Sequence, residues 1–342
     1  MSTDTSAASG TGEHAGEQEG AAGGHGGSHG GGKAIIAALT ANLGIAIAKF
    51  VAFLVTGASS MLAEAIHSVA DSGNQVLLLV GGKRARRAAT PEHPFGYGRD
   101  RYIYAFIVAI VLFSVGGLFA IYEGYHKLIE PEELTSPIWA IGVLVVAVAL
   151  EGYSLRTAIK ETAAIKGPDQ SYWQFIRRAR QPELPVILLE DVAAETGLAL
   201  ALLGVGLSTL TGNGVWDGLA TMAIGVLLVI VAVILATETK SLLIGEAATP
   251  QDQGKIRAAL EGEDAGLSII HMRTQHLGPE ELLVAAKIAV RHDDTAASVA
   301  RAIDEAEARV RAAVPTARVI YLEPDIRRGA PNTSGASAPP RV

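Results

Sequence analysis

Six long apolar runs alternate with short polar connections along this chain, near residues 34–56, 59–81, 102–126, 137–159, 184–209 and 216–237. Each is as long as the ~20 residues a helix needs to cross ~30 Å of hydrocarbon. Backbone N–H and C=O groups cannot stay unpaired in lipid, so such runs are helical. The pattern therefore predicts an α-helical polytopic membrane protein with six transmembrane helices, spread over residues 33–246. From residue 247 the periodicity changes. Pro250 opens a predicted helix that reaches about Glu261. Ser268–His276 and Leu282–Val290 read as strands joined by a turn at Gly278-Pro279, with Val284, Ala286, Ile288 and Val290 on one face at period two. Val299, Ile303, Ala306, Val310 and Val314 then form a helical stripe, and Arg318–Glu323 a last strand. This α-β-β-α-β order over residues 247–325 predicts a small cytosolic α+β domain, ferredoxin-like in type. The flanking segments, 1–32 and 326–342, carry too few apolar positions to bury a core and are expected to be disordered. Met1–Gly32 has no apolar h-region, so no signal peptide is expected.

Charge orients the predicted spans. Lys83, Arg84, Arg86, Arg87 and Arg99 follow the second run, and Lys160, Lys166, Arg177, Arg178 and Arg180 follow the fourth. The connections after the first and fifth runs hold no Lys or Arg, and the one after the third holds only Lys127. Lys and Arg accumulate on the cytoplasmic side, so a cell-membrane, multi-pass protein with both termini cytoplasmic is expected. A net charge of −7 leaves no basic surface for nucleic acid. The chain has no cysteine, so any metal site must draw on His, Asp, Glu or Asn.

The polar residues inside the apolar runs carry the chemistry. In the second run Glu64, His67, Asp71 and Asn74 or Gln75 recur at three- and four-residue steps, on one helix face. An ionised Asp at the bilayer centre costs ~2.5–3.5 kcal/mol on insertion scales, so such a stripe needs compensation. A divalent cation supplies it, since imidazole nitrogen and carboxylate oxygen are natural ligands for zinc-like ions. Hydrogen bonds to neighbouring helices are the alternative. The fifth run adds Glu190, Asp191 and Glu195, with Asp191 and Glu195 on one face. Lys49 is the only Lys or Arg well inside a run. A Lys49–carboxylate ion pair is thus a rival explanation, although one Lys cannot neutralise all of these acids.

With these residues in view, the chain from about Lys33 to Asp325 resembles the cation diffusion facilitator family. The resemblance is carried by His67-x-x-x-Asp71, by His93-Pro94-Phe95-Gly96-Tyr97-Gly98-Arg99 and by Asp191. Arg180-Gln181-Pro182 followed by Val186–Gly197 is similar to the subgroup related to mammalian zinc transporter nine. The resemblance implies a homodimeric exporter that exchanges metal for protons, with the tail domain helping dimerisation. It also implies a tetrahedral transport site with two ligands on the second span and two on the fifth. His67 and Asp71 match the first pair, and Asp191 matches one member of the second. The remaining position, usually His, is Ile187 here. Glu190, Glu195, a water or Asn42 of the first span are candidates for the fourth ligand, and Glu64 is a further additional-ligand candidate. In the tail domain His271 and Glu323 fall at ligand-like positions, while Lys287 and Tyr321 occupy others. His276 and His292 are candidates for a looser site there, against the reading of surface histidines. His14, His25 and His29 lie in the Gly-rich tail, where weak metal capture competes with plain disorder.

The reading that follows is a proton-coupled divalent metal antiporter. Metal needs deprotonated carboxylates and neutral His67, so metal and protons compete for the same atoms. Zinc is the expected cargo, with manganese, iron, cobalt and nickel also compatible with such ligands. The rivals are a non-transporting metal sensor or scaffold and an intramembrane metal-dependent enzyme. The enzyme reading lacks an HExxH motif and any evident nucleophile.

Overall fold

A computed structural model describes residues 28–261 and 267–326. The elements follow in the order α1 (Ser28–Thr56), α2 (Ser59–Ala85), α3 (Asp100–Ile107), a π-helical turn (Val108–Phe113) and α4 (Ser114–Ile129). Next come α5 (Pro137–Ile165), α6 (Tyr172–Arg178), α7 (Glu183–Thr211), α8 (Val215–Ile244) and α9 (Pro250–Glu261). Strands β1 (Ser268–Gly278) and β2 (Glu281–Val290), helix α10 (Ala296–Ala313) and strand β3 (Val319–Ile326) complete the chain. Each apolar run falls on one long rod, the third being α3, the π turn and α4 in continuity. Among the described residues, three rods are long and apolar enough by themselves to cross a membrane: Asp100–Ile129, Pro137–Ile165 and Val215–Ile244. The first rod starts at Ser28, ahead of its apolar run, because extending a formed helix adds one hydrogen bond per residue. Residues 28–32, expected in the disordered tail, are thus helical; His14 and His25 lie outside the described residues.

The rods are built inside out relative to a soluble bundle. Large apolar side chains point outward: Leu54, Leu118, Ile138, Leu203 and Leu210 are all exposed. The contacts between rods use small residues, with Ala52, Ala63, Ala109, Ala120, Ala147, Ala193 and Ala201 all in the buried core. That is how helices pack where lipid leaves no hydrophobic drive and close approach must supply the energy. A close backbone seam joins α4 to α8. A Cβ on Gly225 would lie 2.7 Å from the Gly117 carbonyl oxygen, and one on Gly218 would lie 3.1 Å from that of Gly124. Two Gly pairs, seven residues apart on each helix, thus bring the two backbones together.

The start of α2 is clipped to α8. Ser59 N–H donates to Asp217 Oδ2 at 2.7 Å, and the Ser60 hydroxyl donates to Asp217 Oδ1. A buried carboxylate from another helix therefore takes up donors that the first turn of α2 cannot satisfy itself. Lys127, expected in a connection, sits within α4 instead and donates to the Gly57 carbonyl at 3.0 Å, closing the α1–α2 turn.

The small C-terminal sheet domain has the strand order β1-β2-β3, with β1 antiparallel and β3 parallel to β2. Leu282, Val284, Ala286 and Ile288 of β2 are buried at period two. Val290 is only half-buried, because the strand leaves the core there. Ile256 and Leu260 of α9 and Ala306 and Val310 of α10 share one core with that face. Along the chain β3 begins and ends slightly later than the expected Arg318–Glu323, since its pairing with β2 continues to Ile326.

Candidate metal site

The site starts from α2. At ~1.5 Å per residue, His67 and Asp71 stand ~12 and ~18 Å along a helix that begins at Ser59, well inside the rod. Glu64, His67 and Asn74 are buried, and Asp71 is half-buried, all on one face. His67 Nδ1 and Asp71 Oδ1 lie 3.6 Å apart, beyond a hydrogen bond. Among the described residues neither ring nitrogen of His67 has a hydrogen-bond partner, nor has Asp71 Oδ1. Buried polar atoms without partners are rare because each forfeits its hydration, so these call for a ligand. The Phe113 ring, placed by the π turn, lies 5.9 Å from the imidazole. Turns of that kind are common beside functional sites.

Helix α7 faces α2 in antiparallel sense. Asn74 donates to Glu190 Oε1 near one end, and Gly197 leaves room for the Glu64 carboxylate farther on. Glu190 is 5 % and Asp191 9 % exposed, so both carboxyls are withdrawn from solvent. Asp191 is turned about 100° from Glu190, toward α5, where the Ser154 hydroxyl donates to its Oδ2 at 3.0 Å. Glu195 also looks toward α5: a Cβ on Gly152 would lie 3.8 Å from its carboxylate oxygens. The two candidates for a fourth ligand are therefore sorted by direction, with Glu190 toward α2 and Glu195 toward α5. Ile187 packs instead into a small apolar cluster with Ala158, Ile176 and Leu188. Asn42 is half-buried on α1.

Lys49 is committed elsewhere. Its ammonium donates to Glu64 Oε2 at 3.0 Å and to the Ser68 hydroxyl at 2.8 Å, and both partners of the ion pair are fully buried. One positive charge thus answers one carboxylate. Asp71, Glu190, Asp191 and Glu195 are left without a Lys or Arg within salt-bridge distance among the described residues. Glu151 on α5 joins this group: it is an electrostatic neighbour of Asp71, Asp191 and Glu195. Sequence reasoning passed over Glu151, although an acid inside an apolar run was the available signal. Among the described residues, no three His, Asp or Glu side chains are gathered closely enough to hold a metal ion as they stand.

The sheet-domain candidates are dispersed. His271 is exposed on β1 and pairs in register with Lys287 of β2. Lys287 pairs in turn with Glu323 of β3 and binds its Oε1 and Asp325 Oδ2, each at 3.0 Å. A lysine thus holds the acid that a metal would need. His276 is buried, with Nδ1 facing the Gly278 carbonyl at 3.4 Å, and burial holds its imidazole below the usual range. His292 is exposed in the turn after β2.

A family model described as the cation efflux transmembrane domain matches residues 35–244. The proton-coupled zinc antiporter SLC30A9, mitochondrial, of Xenopus laevis is 32% identical over 258 residues, which cover 75% of this chain and 46% of that protein. Its Homo sapiens counterpart is 32% identical over 250 residues, 72% of this chain and 44% of that one. The metal tolerance protein C4 of Arabidopsis thaliana is 30% identical over 259 residues, 75% of this chain and 56% of that protein. The chain spans about half the length of these curated relatives.

Proposed function

The chain belongs to the cation efflux family, and from that premise we propose that it is a proton-coupled antiporter of divalent metal, with zinc as cargo. The family is one of transporters, which sets aside the enzyme reading. The observation that carries the proposal is the unpartnered His67 ring beside the unpartnered Asp71 oxygen, in a bundle where Glu190, Asp191 and Glu195 have no Lys or Arg within salt-bridge distance among the described residues. Relatives named as zinc antiporters support the cargo and the coupling.

In this reading all six rods span the bilayer, both termini are cytoplasmic and residues 247–325 form a cytosolic domain that helps two copies pair. The location of both Arg-rich connections on one side supports that orientation. His67 and Asp71 of α2 and Asp191 of α7 are the ligands, and Glu190 is the fourth. Glu190 is preferred because it already reaches α2 through Asn74, whereas Glu195 reaches α5. Metal entry closes α2 against α7, since the ligands must come nearer than they stand. The same atoms take up protons on the opposite side, which releases the metal. Rocking of one group of helices against the rest exposes the site alternately.

Zinc flux into sealed proteoliposomes under an imposed pH gradient is the test, with metal and proton followed by separate fluorophores. Zinc movement with opposite proton movement is expected. Zinc movement without protons would mean a uniporter, and no zinc movement would favour the sensor or scaffold.

A further inference from the structure

A cavity of about 390 Å³ opens where the end of α2 and the 94–98 loop meet the turn between β1 and β2. Four arginines line it, Arg86, Arg87, Arg101 and Arg318, against two acids, Glu280 and Glu281. Arg101 is committed: it binds Glu183 at the start of α7 and Glu280 at 3.1 Å. Arg86, Arg87 and Arg318 are exposed, and among the described residues their side chains have no ion-pair partner. Three free guanidinium groups therefore converge on one concavity from two different parts of the chain.

The walls are held together by close backbone contact. A Cβ on Gly278 would lie 2.8 Å from Gly98 Cα, so the hairpin tip and the loop touch with no room for a side chain. The cavity also sits where α2 leaves its apolar stretch at Lys83, and Phe95 on its rim is 45 % exposed. A cluster of guanidinium groups at the end of an apolar helix suits the level of anionic headgroups.

We propose that this cavity binds a phosphate-bearing anion, supplied either by the headgroup of an acidic phospholipid or by free phosphate. Guanidinium forks match phosphate oxygens in pairs, which a single lysine does not. An anion held by Arg86 and Arg87 on one wall and Arg318 on the other ties the sheet domain to the end of α2.

The test uses the full chain in nanodiscs at one fixed salt concentration. Binding of phosphatidylglycerol and of phosphatidylcholine is read by native mass spectrometry, and binding of inorganic phosphate by calorimetry in phosphatidylcholine discs. The triple variant Arg86→Gln, Arg87→Gln, Arg318→Gln is compared with a control triple, Arg156→Gln, Lys160→Gln, Arg178→Gln. The control removes as many charges from the same side of the bundle but leaves the cavity intact. Only the cavity triple loses charge-assisted hydrogen bonds to the anion, so it should weaken binding by about tenfold or more, whereas the control, which touches no bound anion, should weaken it by less than about threefold. Loss confined to phosphatidylglycerol identifies the lipid source, and loss of phosphate binding without lipid preference identifies the free anion. Equal losses in both triples, or no preference for either anionic probe, would overturn the proposal. If the cavity triple does not fold, Arg318→Gln alone carries the comparison, with at least a threefold loss expected.

Discussion

Replacing Lys49 by Met tests whether the buried cation serves Glu64 or the metal ligands. Lys49 and Glu64 are both fully buried with 3.0 Å between their charged atoms, and Ser68 completes the ammonium's partners at 2.8 Å. Removing one member of such a pair leaves the other charge uncompensated, which costs about 3–5 kcal/mol. Lys49→Met and Glu64→Gln should each destabilise by that amount. The double variant buries two neutral groups of similar shape and should recover most of the loss, because replacing a whole buried pair is often near neutral. The coupling from the double-variant cycle should therefore reach at least ~2 kcal/mol, well above the error of additivity for independent sites. Unfolding in detergent is measured on all four proteins, with zinc flux alongside. Flux should persist in the double variant, since among the described residues Lys49 forms its ion pair with Glu64 and not with Asp71 or Asp191. Coupling near zero would refute the pairing. A stable double variant that no longer binds zinc would make Glu64 a ligand.

Asp71→Ala and Asp191→Ala should each abolish zinc flux with the protein still inserted, and near-normal uptake by either would sink the site assignment. Glu190→Gln should lose most of the zinc affinity while Glu195→Gln keeps it; the reverse result in competition binding would move the fourth ligand to the α5 side. Ile187→His adds a softer donor one turn before Asp191. It should shift preference toward zinc over manganese about tenfold, or ~1.4 kcal/mol, provided the cluster with Ala158 and Ile176 admits the ring. His276 is held neutral by burial, so the unfolded chain binds its proton more readily than the native one. Stability should therefore fall as pH drops below ~6.5, and His276→Gln should flatten that dependence; a profile unchanged by the substitution would remove His276 as its cause.

The long helices were legible because lipid imposes one solution on the backbone: a long apolar run has to be a helix. The sheet domain was legible for the opposite reason, its period-two strand and period-3.6 stripe each burying one face. His67 and Asp71 stood out because four-residue spacing fixes a shared face before any tertiary contact is known. Distances between helices were not legible. Nothing in the order of residues says that Lys49 reaches Glu64 across fifteen positions, or that Asn74 rather than Gln75 meets Glu190. Those pairings depend on the rotation of each rod, set by small residues such as Gly197 whose partners are remote in sequence. Glu190 and Glu195 differ on the same ground: helical phase relative to Asp191 favoured Glu195, but the direction of α2 favours Glu190.

That direction has a mechanical consequence on the proposed reading. The pair α4 and α8 is stitched backbone to backbone through its Gly contacts, and Asp217 fastens the start of α2 to the same body. Asp191 is held from the other side by Ser154 of α5. The ligands of α2 and α7 thus belong to two differently anchored groups, and metal binding has to draw one toward the other. On that reading a metal that takes Glu190 through Oε1 must displace the Asn74 amide, which donates to that oxygen. Breaking one buried hydrogen bond to a charged group costs about 1.5–3 kcal/mol, which sets a threshold that weakly coordinating cations do not pass. If Glu190 is the fourth ligand as proposed, Asn74 is its place-holder: it joins α2 to α7 without metal and would yield Glu190 only to a cation that binds more strongly than an amide does.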